Sequence, residues 1–236
     1  MSRLVWLSEH TDPGWFPPLD RALREPPGLL AAGGDLRPAR LLAAYERGVF
    51  PWYSAQQPIL WWSPDPRMVL FPKEFHISRS LKKTLRSGRY LTRVDNAFGE
   101  VIRACAAPRR SGPDTWLTRE MIDAYEELHH LGFAHSIETY VGGRLAGGLY
   151  GVQLDRVFFG ESMWSEERDA SKAALARLIE ECSARDIRLI DCQVASPHLA
   201  SLGAREISRS EFAALLRRYA RRVPSGSWSG NAAEPV

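Results

Sequence analysis

Cysteine is scarce in this sequence, and the cysteines present do not form the spacing of a disulfide framework or a zinc site. The 236 residues include three cysteines, Cys105, Cys182 and Cys192, and each lies in an apolar segment. An odd number of unpaired cysteines indicates buried thiols in a reducing compartment. His129 and His130 lack H-E-x-x-H spacing and are typical of an exposed helix end, so no metal is expected.

Long apolar runs and the common nucleotide-binding motifs are also lacking. No apolar run is long enough to span a bilayer, and the first residues have no signal-peptide pattern, so we expect a cytoplasmic protein without a membrane partner. A P-loop and a G-x-G-x-x-G fingerprint are missing. Ser162 lies in G-E-S-M and not in a G-x-S-x-G elbow, which disfavours a serine nucleophile. The segment G-G-L-Y-G (147–151) lies within a strand pattern and predicts a bulge or a close backbone approach.

Charge of one sign is concentrated in a single stretch, although the net charge of +3 is too small to identify a partner. The charged residues between positions 78 and 93 are all basic. Those assigned to this basic patch are Arg79, Lys82, Lys83, Arg86 and Arg89. The patch is either a solvated helix face or a surface that attracts a polyanion such as tRNA. Arg217 and Arg218, in the last predicted helix, either add to it or are plain surface.

Composition divides the chain into three parts. Residues 1–62 are rich in Pro and Gly and predict a small amino-terminal domain. Residues 63–223 contain helices, then a run of antiparallel strands, then another helix and strand, which predicts an α+β domain with a mixed sheet and flanking helices. Residues 224–236 are rich in Ser, Gly and Pro, so this tail is expected to be disordered.

Several local patterns predict where helices and strands begin. Polar residues that precede an apolar helical pattern are candidate N-caps. The expected caps are Ser78, Asp95, Thr118, Ser208 and, for the central helix, either Asp169 or Ser171. Apolar runs and turn residues predict strands at 134–140, 144–154, 156–161 and 187–190.

Polar side chains follow two of these apolar strands. Glu161 is the last residue of the strand 156–161, and Asp191 and Gln193 come after the strand 187–190. Each of the three could be an ordinary cap or part of a satisfied polar network. Their shared position at strand ends instead indicates one crevice, since ligands bind there in open sheets.

Tryptophans occur in loop-like sequence in the first half of the chain. Trp61 and Trp62 are expected to pack the small domain against the larger one. Trp52 and Trp116 have the same structural explanation, or they are platforms on which an unpaired base stacks.

Eight sequence blocks resemble one known family. They are G-L-L-A-A-G-G-D-L (28–36), G-V-F-P-W-Y (48–53), I-L-W-W-S-P-D-P-R (59–67), H-I-S-R-S-L (76–81), G-E-S-M-W-S (160–165), A-S-K (170–172), L-I-D-C-Q (189–193) and H-L-A-S-L-G-A (198–204). With these blocks the chain resembles the leucyl/phenylalanyl-tRNA–protein transferases. The resemblance implies a catalytic domain like that of the GNAT acetyltransferases, but the pyrophosphate loop of acetyl-CoA enzymes is missing, so no cofactor is expected.

The resemblance also implies an activity and its substrates. The donor would be an aminoacyl-tRNA carrying Leu or Phe, with Met used less well. The acceptor would be a protein that begins with Arg or Lys and is thereby marked for degradation by the N-degron route. A monomer is expected.

The resemblance assigns roles to the candidate residues. Trp52 and Trp116 would hold the terminal adenosine of the tRNA. The pocket for the Leu or Phe side chain would be lined by Leu149, Phe158, Met163, Leu175, Cys182 and Ile190. Gln193 would orient the amine or the ester carbonyl, Asp191 would fix Gln193, and Glu161 would attract the acceptor's amino-terminal cation or join this network.

Two alternatives to this function come from different classes. An acyl-CoA-dependent acetyltransferase would use the same fold with a different donor. A tRNA-binding module would use the basic patch around Lys82 and Lys83 without any chemistry.

Overall fold

A computed structural model of the chain describes residues 3–107 and 117–228. The helices are α1 (Pro38–Glu46), α2 (Arg79–Leu85), α3 (Phe98–Ala106), α4 (Arg119–His130), α5 (Ala170–Ala184), α6 (Pro197–Ala200) and α7 (Arg209–Tyr219). The strands are β1 (Val5–Leu7), β2 (Leu29–Gly33), β3 (Phe50–Pro51), β4 (Leu60–Trp62), β5 (Arg67–Leu70), β6 (Leu91–Val94), β7 (Ala134–Val141), β8 (Arg144–Leu154), β9 (Val157–Ser165), β10 (Leu189–Gln193) and β11 (Arg205–Ile207). Among these residues, no helix is both long and apolar enough to cross a membrane.

Within the described residues, the strands form two sheets. The small sheet has the order β1-β2-β4-β3, with β1 parallel to β2 and the other pairs antiparallel. The large sheet has the order β11-β5-β10-β9-β8-β7-β6. In the large sheet, β9 and β10 are parallel and the other pairs are antiparallel. The expected α+β class, with a mixed sheet and a smaller amino-terminal sheet, is confirmed.

Both faces of the large sheet are covered by helices. Successive residues of a strand point to opposite faces, so Phe158 and Phe159 belong to different apolar clusters. The cluster that contains Phe159 includes residues of α1, α3, α4 and α7. The cluster that contains Phe158 includes residues of α2 and α5. A charged side chain on β9 or β10 is therefore surrounded by protein unless a cavity opens beside it.

Trp61 joins the small sheet to the core of the large one. It is fully buried, and its indole nitrogen donates to the carbonyl of Gly33 at 2.8 Å. It belongs to the same apolar cluster as Phe159 of the large sheet. The packing role expected for Trp61 is confirmed.

Three of the predicted helix caps are confirmed. The hydroxyls of Ser78, Thr118 and Ser208 accept the backbone N–H of the third residue after them, at 3.2, 3.3 and 3.1 Å. Each bond satisfies a backbone donor that the first turn of a helix leaves unpaired.

The prediction that Asp95 caps α3 is wrong. Asp95 has a positive φ of 51°, and its carboxylate accepts from His135 and from the backbone N–H of Ser136. Glu138 of β7 instead accepts the N–H of Ala97, the N-cap residue of α3, at 3.3 Å. The capping carboxylate comes from a neighbouring strand, which no local pattern reveals.

Asp169, one of the two residues predicted to cap α5, is its N-cap residue, but the Asp169 side chain makes no capping hydrogen bond. Asp169 has a left-handed backbone conformation with φ of 63°, and its carboxylate binds the ammonium of Lys172 at 2.6 Å. The hydroxyl of Ser165 accepts the N–H of Ser171 at 3.2 Å. The side chain of Ser165 therefore accepts a hydrogen bond in the first turn of α5, as the side chain of Asp169 was expected to do.

Strand β9 is longer than predicted, because it continues past Glu161 through the polar segment 162–165. Ser162, Met163, Trp164 and Ser165 pair with β8, and the register shifts beside Tyr150 to accommodate them. The extra residue is Glu161 on β9, opposite the segment 147–151, for which a bulge or a close backbone approach was predicted.

The predicted disorder of the tail 224–236 is wrong for its described part. Trp228 is 2% exposed, and its indole nitrogen donates to Gln153 at 2.9 Å. The Ser/Gly/Pro composition predicted disorder because it offers little apolar surface, but one buried indole is enough to anchor a short segment. Residues 229–236 lie outside the described part of the chain.

Gly151 allows β8 and β9 to approach closely, and its substitution tests that constraint. A Cβ at Gly151 would lie 2.2 Å from the carbonyl oxygen of Phe159 and 2.6 Å from the Phe158 ring. Gly151→Ala should therefore lower the free energy of unfolding by about 3 kcal/mol, at the upper end of overpacking costs. Gly142→Ala is the control, because Gly142 has a positive φ of 57° but an open surrounding, so it should cost about 1 kcal/mol. Urea unfolding measures both, and equal losses would contradict the steric explanation.

Candidate active site

A cavity opens where the two parallel strands of the large sheet part. Strand β10 pairs with β9 from Leu189 opposite Val157 to Asp191 opposite Phe159. Beyond this register β9 continues along β8, and β10 follows β5 through a bulge between Asp191 and Gln193. The polar ends of the two strands therefore face a common opening, as the sequence predicted for Glu161, Asp191 and Gln193.

The cavity has a volume of about 380 Å³ and a largely apolar wall. Its apolar lining residues are Phe50, Pro51, Trp52, Leu149, Phe158, Met163, Leu175, Leu178, Ile190, Val194 and Leu199. Its polar lining residues include Glu161, Ser162, Asp191, Gln193, Ser196 and His198. This volume is typical of a site for one small apolar group with a few polar groups beside it.

Glu161 is a buried carboxylate with donors on both oxygens. The side-chain nitrogen of Gln193 donates to its Oε1 at 2.9 Å, and the hydroxyl of Tyr125 donates to its Oε2 at 2.8 Å. The hydroxyls of Tyr125 and Tyr45 are 2.6 Å apart. Two tyrosines from α4 and α1 thus support the carboxylate from the side away from Gln193.

The environment of Glu161 raises its pKa to about 7, and burial is the largest cause. The hydrogen bonds from Tyr125 and Tyr45 favour the ionised form and oppose this rise. The negative charge of Asp191 adds to the rise, and Arg67 opposes it. Since the pKa lies near neutrality, Glu161 can hold or release a proton under ordinary conditions.

Gln193 is held in an uncommon backbone conformation. Its φ is 65°, in the left-handed region, and its backbone N–H donates to Oδ1 of Asp191 at 2.9 Å. Such strain persists only where surrounding bonds fix it, and it is concentrated at functional sites. Because the amide nitrogen of Gln193 faces the carboxylate of Glu161, its amide oxygen remains available as an acceptor.

Asp191 forms a buried ion pair with Arg67. The Nε and Nη2 atoms of Arg67 donate to the two carboxylate oxygens at 2.8 and 2.6 Å. The third nitrogen, Nη1, donates to the carbonyl of Gly48 at 3.1 Å. The guanidinium lies over the rings of Phe50 and Phe212, 4.8 and 4.6 Å from their centroids. This bidentate pair fixes the carboxylate that in turn fixes Gln193.

Most of the predicted pocket residues line the cavity, but Cys182 does not. Leu149, Phe158, Met163, Leu175 and Ile190 are at its wall. Cys182 is fully buried in the apolar cluster behind that wall, and burial raises the pKa of its thiol. Cys192 lines the cavity instead. The resemblance implied that Cys182 lines the pocket, but its position on the buried face of α5 leaves it behind the wall.

The two tryptophans assigned to base stacking have different outcomes. Trp52 lines the cavity and is 44% exposed, with its ring 5.7 Å from that of Trp62. The indole nitrogen of Trp62 donates to the carbonyl of Trp52 at 2.7 Å. Trp116 lies outside the described residues.

The basic patch forms an exposed face of α2 and the turn after it. Arg79, Lys82, Lys83 and Arg86 are exposed, and none pairs with a carboxylate in the described part of the chain. Arg89 is bound to Glu167 at 2.8 Å. The four cations without a carboxylate partner produce a local positive field at the surface. Arg89 contributes less to this field, because Glu167 offsets its charge.

The described residues offer no cluster of metal ligands. Among residues 3–107 and 117–228, no three side chains of His, Cys, Asp or Glu lie together as a metal site would need.

Sequence comparison assigns the chain to a family. A family model described as leucyl/phenylalanyl-tRNA protein transferase matches residues 69–217, and a model of that family's amino-terminal domain matches residues 34–65. The chain belongs to the leucyl/phenylalanyl-tRNA–protein transferase family. It is 56% identical over 231 residues to the family's protein from Azoarcus sp. (strain BH72), covering 98% of this chain and 97% of that one. It is 55% identical over 223 residues to that from Nitrosospira multiformis, covering 94% and 95%.

Membership in this family makes the chain an aminoacyltransferase that acts between leucyl- or phenylalanyl-tRNA and a protein. Similar solved structures include ribosomal-protein-alanine N-acetyltransferase from Brucella melitensis, with 15% identity, a TM-score of 0.31 and coverage of 41% of this chain and 74% of that chain. They also include L-PGS from Bacillus licheniformis, with 10% identity, a TM-score of 0.40 and coverage of 72% and 57%.

Sequence reasoning missed three residues that support the transferase site. Arg67 is the last residue of the block I-L-W-W-S-P-D-P-R (59–67). The available signal was that Asp191, if buried, needs a cationic partner. Tyr45 and Tyr125 lie on the buried faces of predicted helices, where tyrosine is common in ordinary cores. Their hydroxyls, which need a partner when buried, were the available signal.

The raised pKa of Glu161 predicts how the stability of the transferase depends on pH. The folded state holds this proton up to about pH 7, whereas the unfolded carboxyl releases it near 4.5. Between these values the folded state binds more protons, so this group makes the free energy of unfolding fall as pH rises. A rise of this size corresponds to roughly 3 kcal/mol at about 1.4 kcal/mol per pKa unit. Glu161→Gln should lose less stability between pH 4.5 and 7 than the parent chain, as measured by urea unfolding.

The matched control for that measurement is Glu127→Gln, an exposed glutamate on α4. This variant should keep the pH dependence of the parent chain. A Glu161→Gln variant whose stability falls with pH as steeply as the parent would show that Glu161 ionises normally.

Proposed function

We propose that the cavity binds the Leu or Phe side chain of an aminoacyl-tRNA, and that Glu161 and Gln193 receive the amino group of the acceptor protein beside it. The observation that carries this proposal is the hydrogen bond between Gln193 and Glu161 on the wall of an otherwise apolar cavity. An esterified amino acid needs such a combination, because its side chain is apolar and its reacting carbonyl is polar.

The apolar wall suits a side chain that is unbranched at Cβ. Leucine and phenylalanine both have a single Cβ substituent, so each can enter a narrow opening before its bulk begins. Methionine is also unbranched at Cβ, but its side chain is more flexible, so it would be used less well. Isoleucine and valine are broad at Cβ, and the cavity would discriminate against them by shape.

Trp52 would hold the 3′ end of the tRNA. Its exposed ring lies at the cavity, where the terminal adenine would follow the esterified amino acid. Stacking of a base on an aromatic side chain contributes about 1–3 kcal/mol. The same role is proposed for Trp116, and the basic patch on α2 would contact the tRNA backbone.

The chemistry requires an uncharged amine to attack the ester carbonyl. The new amide C–N bond forms as the bond between the carbonyl carbon and the ribose oxygen breaks, and one proton lost by the attacking amine is balanced by one gained by the released ribose hydroxyl. The ester itself therefore supplies the activation. An α-amine with a pKa of about 8 loses its proton readily near neutral pH. The free amide oxygen of Gln193 would orient the amine, and Glu161, with a pKa of about 7, would attract the ammonium form and take a proton from it.

The proposed acceptors are proteins that begin with Arg or Lys. The ionised form of Glu161, which lines the cavity, favours a cationic amino terminus, whereas the charge of Asp191 is paired with Arg67. We propose that the reaction occurs in the cytoplasm on a monomeric enzyme and marks these proteins for degradation.

One assay separates this proposal from the alternatives. The protein is incubated with labelled leucyl-tRNA and a peptide that begins with Arg, and labelled peptide is expected. Bound tRNA without labelled peptide would favour a binding module that has no activity. Calorimetry with CoA completes the comparison, because binding at micromolar strength would favour an acetyltransferase.

Replacing Gln193 should slow transfer without weakening tRNA binding. Gln193→Ala removes the group that orients the amine but leaves the apolar wall and the basic patch intact. Loss of orientation should lower the single-turnover rate on the order of 100-fold. Filter binding of leucyl-tRNA should be unchanged. An unchanged transfer rate in Gln193→Ala would refute the assigned role.

Reversing charge in the basic patch should weaken tRNA binding and its salt dependence. Lys82→Glu with Lys83→Glu removes two cations from α2, so the plot of log affinity against log salt should lose about two units of slope. The charge-matched control is Arg217→Glu with Arg218→Glu on α7, which should leave the slope unchanged. Equal effects of the two double variants would mean that only net charge matters.

A further inference from the structure

The last described residues fold back onto the large sheet. This C-terminal strap, residues 225–228, is bound at both ends. The hydroxyl of Ser225 lies 2.7 Å from Nε2 of His135. The backbone N–H of Trp228 donates to Oδ2 of Asp95 at 2.9 Å, and Asp95 also binds Nδ1 of His135 at 2.8 Å. The position of the strap is thus determined by a buried polar cluster on β7 and on the turn before α3.

The indole of Trp228 is fixed on every side. It stacks on the His135 ring with centroids 4.4 Å apart and an interplanar angle of 12°. Its Nε1 donates to Gln153 at 2.9 Å. The guanidinium of Arg185 lies 4.7 Å from its centroid on the ring face. A side chain held by stacking, a hydrogen bond and a cation has little freedom to move.

Trp228 packs against Phe158, which is part of the cavity wall. The two ring centroids are 5.8 Å apart. On another side, the Phe158 ring lies so close to Gly151 that a Cβ there would be 2.6 Å from it. Trp228 and Phe158 belong to the same apolar cluster as Leu149 and Leu175, which also line the cavity. The indole therefore occupies the space into which Phe158 would otherwise retreat.

We propose that Trp228 is a positioning residue that sets the depth of the cavity and, through it, the preference between Leu and Phe donors. This inference rests on the proposed function, in which the cavity takes the donor side chain. When the indole is removed, Phe158 can relax away from the cavity, and the deeper cavity favours the larger aromatic donor. Differences of one or two carbon groups in an apolar pocket change selectivity by about tenfold or more.

The test is the ratio of kcat/KM for phenylalanyl-tRNA to that for leucyl-tRNA, measured with the full chain and a peptide that begins with Arg. Trp228→Ala should raise this ratio about tenfold. Trp228→Phe should restore part of the parent ratio, because a ring still supports Phe158. Trp6→Ala, at a tryptophan that is 66% exposed, is the matched control and should leave the ratio unchanged.

A purely structural role for Trp228 would give a different result. Partial unfolding lowers the rate with both donors equally, since an unfolded enzyme uses neither, so the ratio would not move. An unchanged ratio in Trp228→Ala overturns the inference. If that variant does not fold, Trp228→Leu replaces it with the same expected direction and the same contradicting outcome.

A second variant separates failure of this inference from failure of the proposed function. Leu175→Phe enlarges a residue of the wall itself and should lower the ratio, because phenylalanine needs more room than leucine. If Leu175→Phe shifts the ratio and Trp228→Ala does not, the cavity is the donor site and Trp228 does not position it. If neither variant shifts the ratio, the cavity does not take the donor side chain and both proposals fail.

Discussion

The ion pair between Arg67 and Asp191 is the interaction on which the rest of the site depends. Both side chains are almost fully buried, so each charge would be costly without the other. Arg67 also binds the carbonyl of Gly48 and lies between Phe50 and Phe212, so one guanidinium joins β5, β10, the amino-terminal unit and α7. A buried ion pair is weak evidence for stability, but its bidentate geometry fixes Asp191, whose carboxylate accepts the backbone N–H of Gln193.

The parting of two parallel strands explains why polar groups can be buried here at all. A carboxylate in the middle of a closed sheet would have to be neutralised or paired within the core. Where β9 and β10 separate, Glu161 faces a cavity and has two tyrosine hydroxyls near its carboxylate, and its pKa is raised. The same parting gives an apolar floor and a polar rim within one small volume, which is what an aminoacyl ester and an incoming amine require.

The sequence predicted what depends on local pattern and missed what depends on distant contacts. Apolar runs located both central strands, and Ser78, Thr118 and Ser208 were recognised as caps because a cap acts within four residues. Asp95 was misassigned because His135 and Trp228, far along the chain, take its carboxylate. Cys182 was assigned to the pocket by the family resemblance, and its burial behind the cavity wall depends on how α5 packs on the sheet. The tail was misjudged for a similar reason, since its composition does not show that one indole is buried.

The most direct test is a double-mutant cycle between Arg67 and Gln193 on the single-turnover rate of transfer. In the structure Arg67 fixes Asp191, and Asp191 fixes Gln193. Arg67→Lys, which loses the bidentate geometry, should therefore slow transfer in the parent chain and have little further effect when Gln193 is already alanine. Additive slowing by the two substitutions would show that the ion pair does not act through Gln193, and would contradict the account.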